Sequence, residues 1–266
     1  MPELPELEVA ARTLKGCVAG KTVAGVVVGR ERAIRTPRED ARGFAAGLEG
    51  RRIESVERQG KTLLFRFSGG NGVIFHYKLG ALAACRKAHV EATGGVAWNF
   101  QDGGALEFTD MQLSEFHLAP EKDLANLPVV KRGCDPLSRG LTPARLAELL
   151  PARKQLKAAL MDQEALTGIG NNYSDEILWN ARLNPFRKVA DLSGKEMAEL
   201  ARQIKSTLKE SIKAGGENEF RDARERRGRY EEKVHRRAGQ PCPRDGHRVE
   251  MVKKGRKTFW CPHCQV

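Results

Sequence analysis

The chain opens MPELPELEV. Removal of Met1 would leave Pro2 with a free secondary amine. An α-amine titrates at about 8, so a useful fraction is neutral near pH 7. Such an amine can attack an aldehyde or a sugar C1′ carbon and form an iminium, the logic of a Schiff-base lysine. Glu3, next in the chain, is placed to move protons. The same residues also read as the start of a helix: Pro2 stays outside it, and Glu6 and Glu8 suit a first turn.

The other end carries metal-ligand chemistry. Cys261-Pro-His-Cys264 is half of a four-ligand zinc site, and Cys242-Pro-Arg-Asp245 lies upstream where a second CxxC would stand. Zinc accepts carboxylate oxygen at about the imidazole distance, so Cys242, Asp245, Cys261 and Cys264 are a candidate tetrahedral set. His247 is the rival to Asp245, and His263 lies inside the second pair. The stretch between reads as two short strands turning at Lys254-Gly255, a zinc ribbon whose turn carries Lys253, Lys254, Arg256 and Lys257. An end too small for its own core needs such a staple. The alternative is a decayed site held by packing alone.

A third motif is Gly168-Ile-Gly170-Asn171-Asn172, ahead of a helix expected from Tyr173 to Ala181. Glycines let backbone amides approach a ligand, and a helix N-terminus favours an anion. With a helix over Lys154–Gln163 before it, the motif makes helix, Gly-rich turn, helix: a clamp for a phosphate backbone, or merely a tight turn.

The elements that must position these residues fall in two halves. Up to about residue 130 the pattern is short and β-branched. Strands are expected at Thr22–Val28, Thr62–Phe67 with Val73–Tyr77, and Val96–Phe100 with Ala105–Thr109; a helix is expected over Glu6–Gly16. Beyond a loop at 126–139 the period becomes helical, with Thr142 capping a helix to Leu150 and another over Ser193–Ala214. The 266 residues are 40% hydrophobic and 30% charged, ordinary for a soluble protein. No apolar run approaches the roughly 18–20 residues of a membrane helix, and no signal peptide is evident, so a cytoplasmic, membrane-free protein is expected. Cys17, Cys85 and Cys134 are scattered and read as reduced, buried small hydrophobes. Net charge is +12, and 14 Lys or Arg against 6 Asp or Glu fall in residues 221–266. A basic cluster beside a metal module points to nucleic acid.

MPELPELEV, Gly-Ile-Gly-Asn-Asn-Tyr-Ser-Asp-Glu and a Cys-ligated ribbon, in that order, closely resemble the formamidopyrimidine-DNA glycosylase and endonuclease VIII family of base-excision repair, over nearly the whole chain. The resemblance implies an α+β, two-domain fold: an N-terminal β-sandwich with flanking helices (1–130), then a helix-two-turn-helix bundle (131–225) with a zinc-ribbon hairpin (226–266). It implies a monomer acting on DNA with damaged bases or AP sites, with structural Zn2+ and no redox cofactor. It makes Pro2 the nucleophile and Glu3 its acid/base partner, with Glu6 and Lys61 also in the catalytic set. It gives DNA contacts to Lys61, His76, Leu79, Lys157, Asn171 and Arg256. The implied reaction flips the damaged nucleotide, displaces the base at C1′ and nicks the strand by β- or β,δ-elimination.

The departures bear on substrate. The family fills the gap left by the flipped base with three residues, an Arg and a Phe among them in an Asp-Pro-Arg-Arg-Phe-Gly loop. Here that loop reads Thr109-Asp-Met-Gln-Leu-Ser-Glu-Phe116, which leaves Leu113 or Phe116 as an apolar wedge, with Leu79 in place of a methionine. The segment 215–230 is short and Arg-rich. The expectation is a glycosylase/AP lyase shifted toward single-stranded, distorted or bulky-adduct DNA. The other readings are an AP lyase with weak base excision and a non-catalytic zinc protein that binds damaged DNA.

Overall fold

A computed structural model describes residues 1–78 and 80–266, so Leu79 lies outside the described residues. The chain forms two compact units, Met1–Val130 with Asn218–Gly228, and Lys131–Glu217 with Arg229–Val266. Among the described residues no helix is long and apolar enough to cross a membrane.

The first unit is a sandwich of two sheets. Its strands are β1 (Val23–Val28), β2 (Ile34–Thr36), β3 (Ile53–Gln59), β4 (Thr62–Phe67), β5 (Asn71–His76), β6 (Leu82–Arg86), β7 (Val96–Phe100), β8 (Ala105–Thr109) and β9 (Glu115–Pro120). One sheet runs β1-β7-β8-β6 and the other β2-β9-β5-β4-β3. Helices α1 (Leu4–Val18), α2 (Ala41–Ala46) and α3 (Glu121–Leu124) flank them. The alternation read from the sequence is the cause: every second side chain of β4, β5 and β9 turns inward. Phe65, Phe75 and Phe116 from one sheet meet Trp98 and Phe108 from the other. Ring centroids are 5.0 Å apart for Phe65–Trp98, 4.9 Å for Phe75–Phe108 and 4.9 Å for Phe108–Phe116, all in edge-on geometries. The segment 218–228 belongs to this unit. The Cys85 amide donates to the Ala223 carbonyl at 2.8 Å, Arg86 pairs with Glu225 at 3.1 Å, and the buried Asp222 carboxylate closes the turn on the Arg224 and Arg226 amides. Cys17 and Cys85 are half-buried here, and Cys134 is half-buried in the other unit, so none of the three is the fully buried hydrophobe expected.

The second unit holds α4 (Pro143–Leu149), α5 (Leu156–Leu160), α6 (Asn171–Asn180), α7 (Gly194–Ala214) and the hairpin β10 (Glu250–Lys254) to β11 (Arg256–Trp260). Thr142 caps α4 by accepting from the Arg145 amide at 3.2 Å. Ser193 and Glu196 form a reciprocal capping box on α7, and Gly215 ends that helix at φ 86. Leu200, Ile204 and Leu208, four apart, are fully buried on one face. Helix α5 is shorter than the Lys154–Gln163 expected. Its N-terminal residues instead bond across to the chain at 187–189, with the Leu156 amide on the Arg187 carbonyl at 2.8 Å and the Val189 amide on the Lys154 carbonyl at 3.0 Å. Its C-terminal end is given over to the turn that follows.

Phe75 is fully buried and stacks on Phe116 at 4.7 Å. Phe75→Ala is expected to cost about 3–5 kcal/mol, read as a lowered denaturant midpoint with the slope unchanged.

Candidate active site and metal centre

In the first unit the catalytic candidates gather at the start of α1. Glu3 is the N-cap, in extended backbone, and its amide donates to Glu6 Oε2 at 2.9 Å. Pro5 sits in the first turn, where a missing N–H costs nothing. Glu3 and Glu6 are buried, and both lie where the helix dipole favours negative charge. Pro2 is half-buried beside them. Lys61 occupies a two-residue turn, Gly60-Lys61, between β3 and β4, where Gly60 supplies the positive φ of 56. Thr62 Oγ1 braces the turn on the Gln59 carbonyl at 2.7 Å. The hairpin is tied to α1 by Arg58, whose nearly buried guanidinium meets Glu8 at 3.0 Å. Arg58 was not singled out from sequence; a lone Arg in a strand carries no local signal.

The two loops expected to face the flipped-base gap are joined. The Lys78 amide donates to Ser114 Oγ at 2.9 Å, and Glu115 takes Lys78 at 3.1 Å and His76 at 3.3 Å. Leu113 is 59% exposed at the loop tip, whereas Phe116 is fully buried in the aromatic core. Phe116 is therefore removed as a wedge: β9 begins at Glu115, and alternation sends Phe116 inward. His76 is held below its ordinary pKa by burial and by Lys78, and His117 by burial, so both imidazoles are neutral at pH 7. Glu115 lies below the usual carboxylate range: burial opposes this, but hydrogen bonds from Lys78 and His76 outweigh it.

In the second unit Asn171 is the first residue of α6, after Gly170 as N-cap. Its Oδ1, an acceptor, is buried with no hydrogen-bond partner among the described residues. The preceding turn is held by Gln163, which accepts from the Gly168 amide at 2.9 Å and donates to the Met161 and Ile169 carbonyls, each at 2.8 Å. Gly168, at φ 92, cannot easily be another residue. Lys157, expected among the DNA contacts, is buried. Its Nζ donates to Asp175 at 2.6 Å and to the Lys257 carbonyl at 2.7 Å. Asp175 also accepts from His235 Nδ1 at 2.8 Å and the Phe259 amide at 3.3 Å. Glu176 accepts the amides of Lys233, Val234 and His235 within 3.0 Å, and burial raises its pKa. These carboxylates were not identified from sequence as anything beyond motif letters. The hairpin they hold exposes Lys253, Arg256 and Lys257 at its tip.

The ribbon brings Cys242, Asp245, Cys261 and Cys264 together, with ligand atoms within 4.8 Å of one another. Two thiolates on one tetrahedral Zn2+ stand roughly 3.8 Å apart, and a thiolate and a carboxylate oxygen roughly 3.5 Å. The separations here are 3.9 Å for Cys242–Cys264 and 3.5 Å for Cys261–Asp245 Oδ2. The donor set fits zinc. Trp179 Nε1 and Arg244 Nη1 reach the Cys242 and Cys264 sulfurs, each at 3.3 Å, and would offset thiolate charge. His247 and His263 stand on the outer side of Asp245.

Known families match most of the chain. The formamidopyrimidine-DNA glycosylase N-terminal domain matches residues 1–114, the H2TH domain of the same enzyme 133–221, and the zinc finger found in FPG and IleRS 239–266. The chain belongs to the formamidopyrimidine-DNA glycosylase family. The formamidopyrimidine-DNA glycosylase of Chloroflexus aurantiacus is 37% identical, covering 100% of this chain and 98% of that one. The crystal structure of the MutM (Fpg) protein from Thermus thermophilus superposes with a TM-score of 0.84 at 32% identity, over 99% of this chain and 98% of that one. Lactococcus lactis Fpg in complex with abasic-site DNA superposes at 0.89, with 25% identity and 99% of each chain covered. As a member of the Fpg family the chain is a base-excision DNA glycosylase with a structural zinc ribbon.

Two outcomes follow from these networks. His76 and His117 bind protons less readily folded than unfolded, so their contribution to stability is complete above about pH 6.5 and is lost as pH falls below it. Calorimetry should show the midpoint falling from pH 7 to 5.5, and His117→Gln should lessen the fall. Lys157→Ala removes one partner of a buried pair and is expected to cost about 3–5 kcal/mol, with faster amide exchange at 256–259.

Proposed function

We propose that this Fpg-family chain is a bifunctional glycosylase and AP lyase in which the Pro2 amine, freed of Met1, is the nucleophile. The nitrogen attacks C1′, the bond from C1′ to the damaged base breaks, and the base leaves with a proton. The sugar ring opens to an iminium. Loss of a C2′ proton then expels the 3′ phosphate, and water releases the sugar and restores the amine. Glu3 moves the protons, Glu6 holds the Glu3 amide, and Lys61 meets phosphate beside the reacting sugar. The observation that carries this reading is the start of α1, where Pro2 directly precedes the buried Glu3, whose amide donates to the buried Glu6 carboxylate. Asn171 and Arg256 are assigned to the phosphates of the same strand, and His76 to the DNA face of the central hairpin. Lys157 is assigned an indirect part, holding the Arg256 hairpin through the Lys257 carbonyl.

We assign the zinc to Cys242, Asp245, Cys261 and Cys264. Four protein ligands leave no open position, so the ion's part is to hold the ribbon. The lesion range is assigned to single-stranded or distorted DNA, including bulky adducts. Leu113 supports this: an exposed apolar tip can fill a gap but cannot hydrogen-bond the orphaned base.

Borohydride should trap the untagged protein on AP-site DNA, and Pro2→Gly should abolish trapping while DNA binding persists; equal trapping by the variant would remove Pro2 from its role. Leu113→Ala should lower duplex cleavage about tenfold, the loss of roughly 1.4 kcal/mol of gap filling, with single-strand cleavage unchanged. Asp245→Ala should reduce the zinc retained after dialysis. Loss in His247→Ala alone would transfer the fourth ligand to His247.

A further inference from the structure

Asp245 faces two ways. One side meets the thiols; the other meets two imidazoles that no part of the proposed reaction uses. His263 Nδ1 is 3.1 Å from Asp245 Oδ2 and His247 Nδ1 is 3.6 Å from Oδ1, and the two rings stack at 3.7 Å. Nitrogen and oxygen ligands on one tetrahedral zinc stand roughly 3.3 Å apart, so these separations bracket a metal geometry. The ligand atoms of the three residues lie within 4.8 Å of one another.

We propose that Asp245, His247 and His263 form a second divalent-cation site, for an ion of the zinc class, sharing the Asp245 carboxylate with the thiolate site. The inference rests on the assignment of Asp245 to the first zinc. Charge favours it. Three thiolates and a carboxylate around one Zn2+ leave a net charge of −2, and Arg244 offsets one unit at Cys264. The remaining negative charge lies next to two imidazoles, ligands that borderline divalent ions prefer. Both imidazoles are more than half exposed, at 53% and 61%, so each ring can turn out of the stack onto an ion without disturbing packed neighbours. Water completes the coordination. An exposed three-ligand site fills after the buried one and empties first.

The test is titration of the untagged, full-length apoprotein with Co2+. The first equivalent should build thiolate-to-cobalt charge-transfer absorption in the near ultraviolet. A second should bind without adding to that band. His247→Ala/His263→Ala should keep the first step and lose the second, and zinc measured by mass spectrometry at excess free metal should fall from two per chain to one. Saturation of the wild type at one equivalent with the charge-transfer band intact would overturn the second site alone. A second equivalent that persists in the double variant would also overturn it. Failure of the band itself would strike the thiolate assignment instead, which keeps the two readings separable.

Discussion

Two adjacent carboxylates on one helix hold the second unit together. Asp175 and Glu176 are both buried on α6, and between them they gather Lys157, the His235 ring, and the amides of Lys233, Val234, His235 and Phe259. A buried carboxylate is costly unless its lone pairs are filled; the irregular chain at 233–235 fills those of Glu176, while α5, the His235 ring and the last strand fill those of Asp175. The approach to the ribbon, at 233–235, is shaped by Glu176. The ribbon's second strand is fastened by Asp175 at Phe259 and by Lys157 at Lys257. The turn at 168–170, the ribbon and its exposed cations are thus referred to one short helix, whose own N-terminus carries Asn171.

Much of this was legible in the sequence because the signals were local. Thr142-Pro143 marked a helix start through backbone chemistry that needs no tertiary context, and the helix over 193–214 followed from its period. The hairpins at 62–76 and 96–109 followed from alternation and Gly-rich turns. The clustering of Cys242, Asp245, Cys261 and Cys264 followed from spacing, including the carboxylate in a cysteine's place. What stayed hidden depends on contacts far apart in the chain. Strands β6 and β9 pair with partners far along the chain, Arg86 with Ala105 and Phe116 with Ile34. Phe116 looked available as a wedge only while the start of β9 was unknown, since moving a strand's start by one residue reverses its faces. Lys157 looked like a surface cation because the Asp175 that buries it lies on the following helix. Gln163 and Arg58 carry no pattern that sets them apart from other surface residues until their partners are placed.

The sandwich shows a different economy. Around Trp98 and Phe108 its core is a largely edge-on aromatic cluster set among fully buried aliphatics such as Leu63, Val73 and Leu106, and the polar work is moved to the rims. At one rim a single carboxylate, Glu115, gathers Lys78 and His76 and makes two loops behave as one. At another, Arg58 joins the Lys61 turn to the helix that begins with Glu3. In both cases a residue that touches no substrate in the proposed reaction sets the position of one that does.

The strip 218–228 gives this architecture a particular covalent logic. The chain leaves the first unit after Val130, builds most of the second, returns to give the Cys85 amide its acceptor, and goes back to complete the ribbon. Neither unit is therefore a continuous piece of sequence. A gene fragment ending at residue 130 encodes a sandwich with an open seam along β6, and one starting at 131 carries a strip whose counterpart is missing. Recombination at the apparent boundary would damage both parts, so the two units are bound to be inherited together.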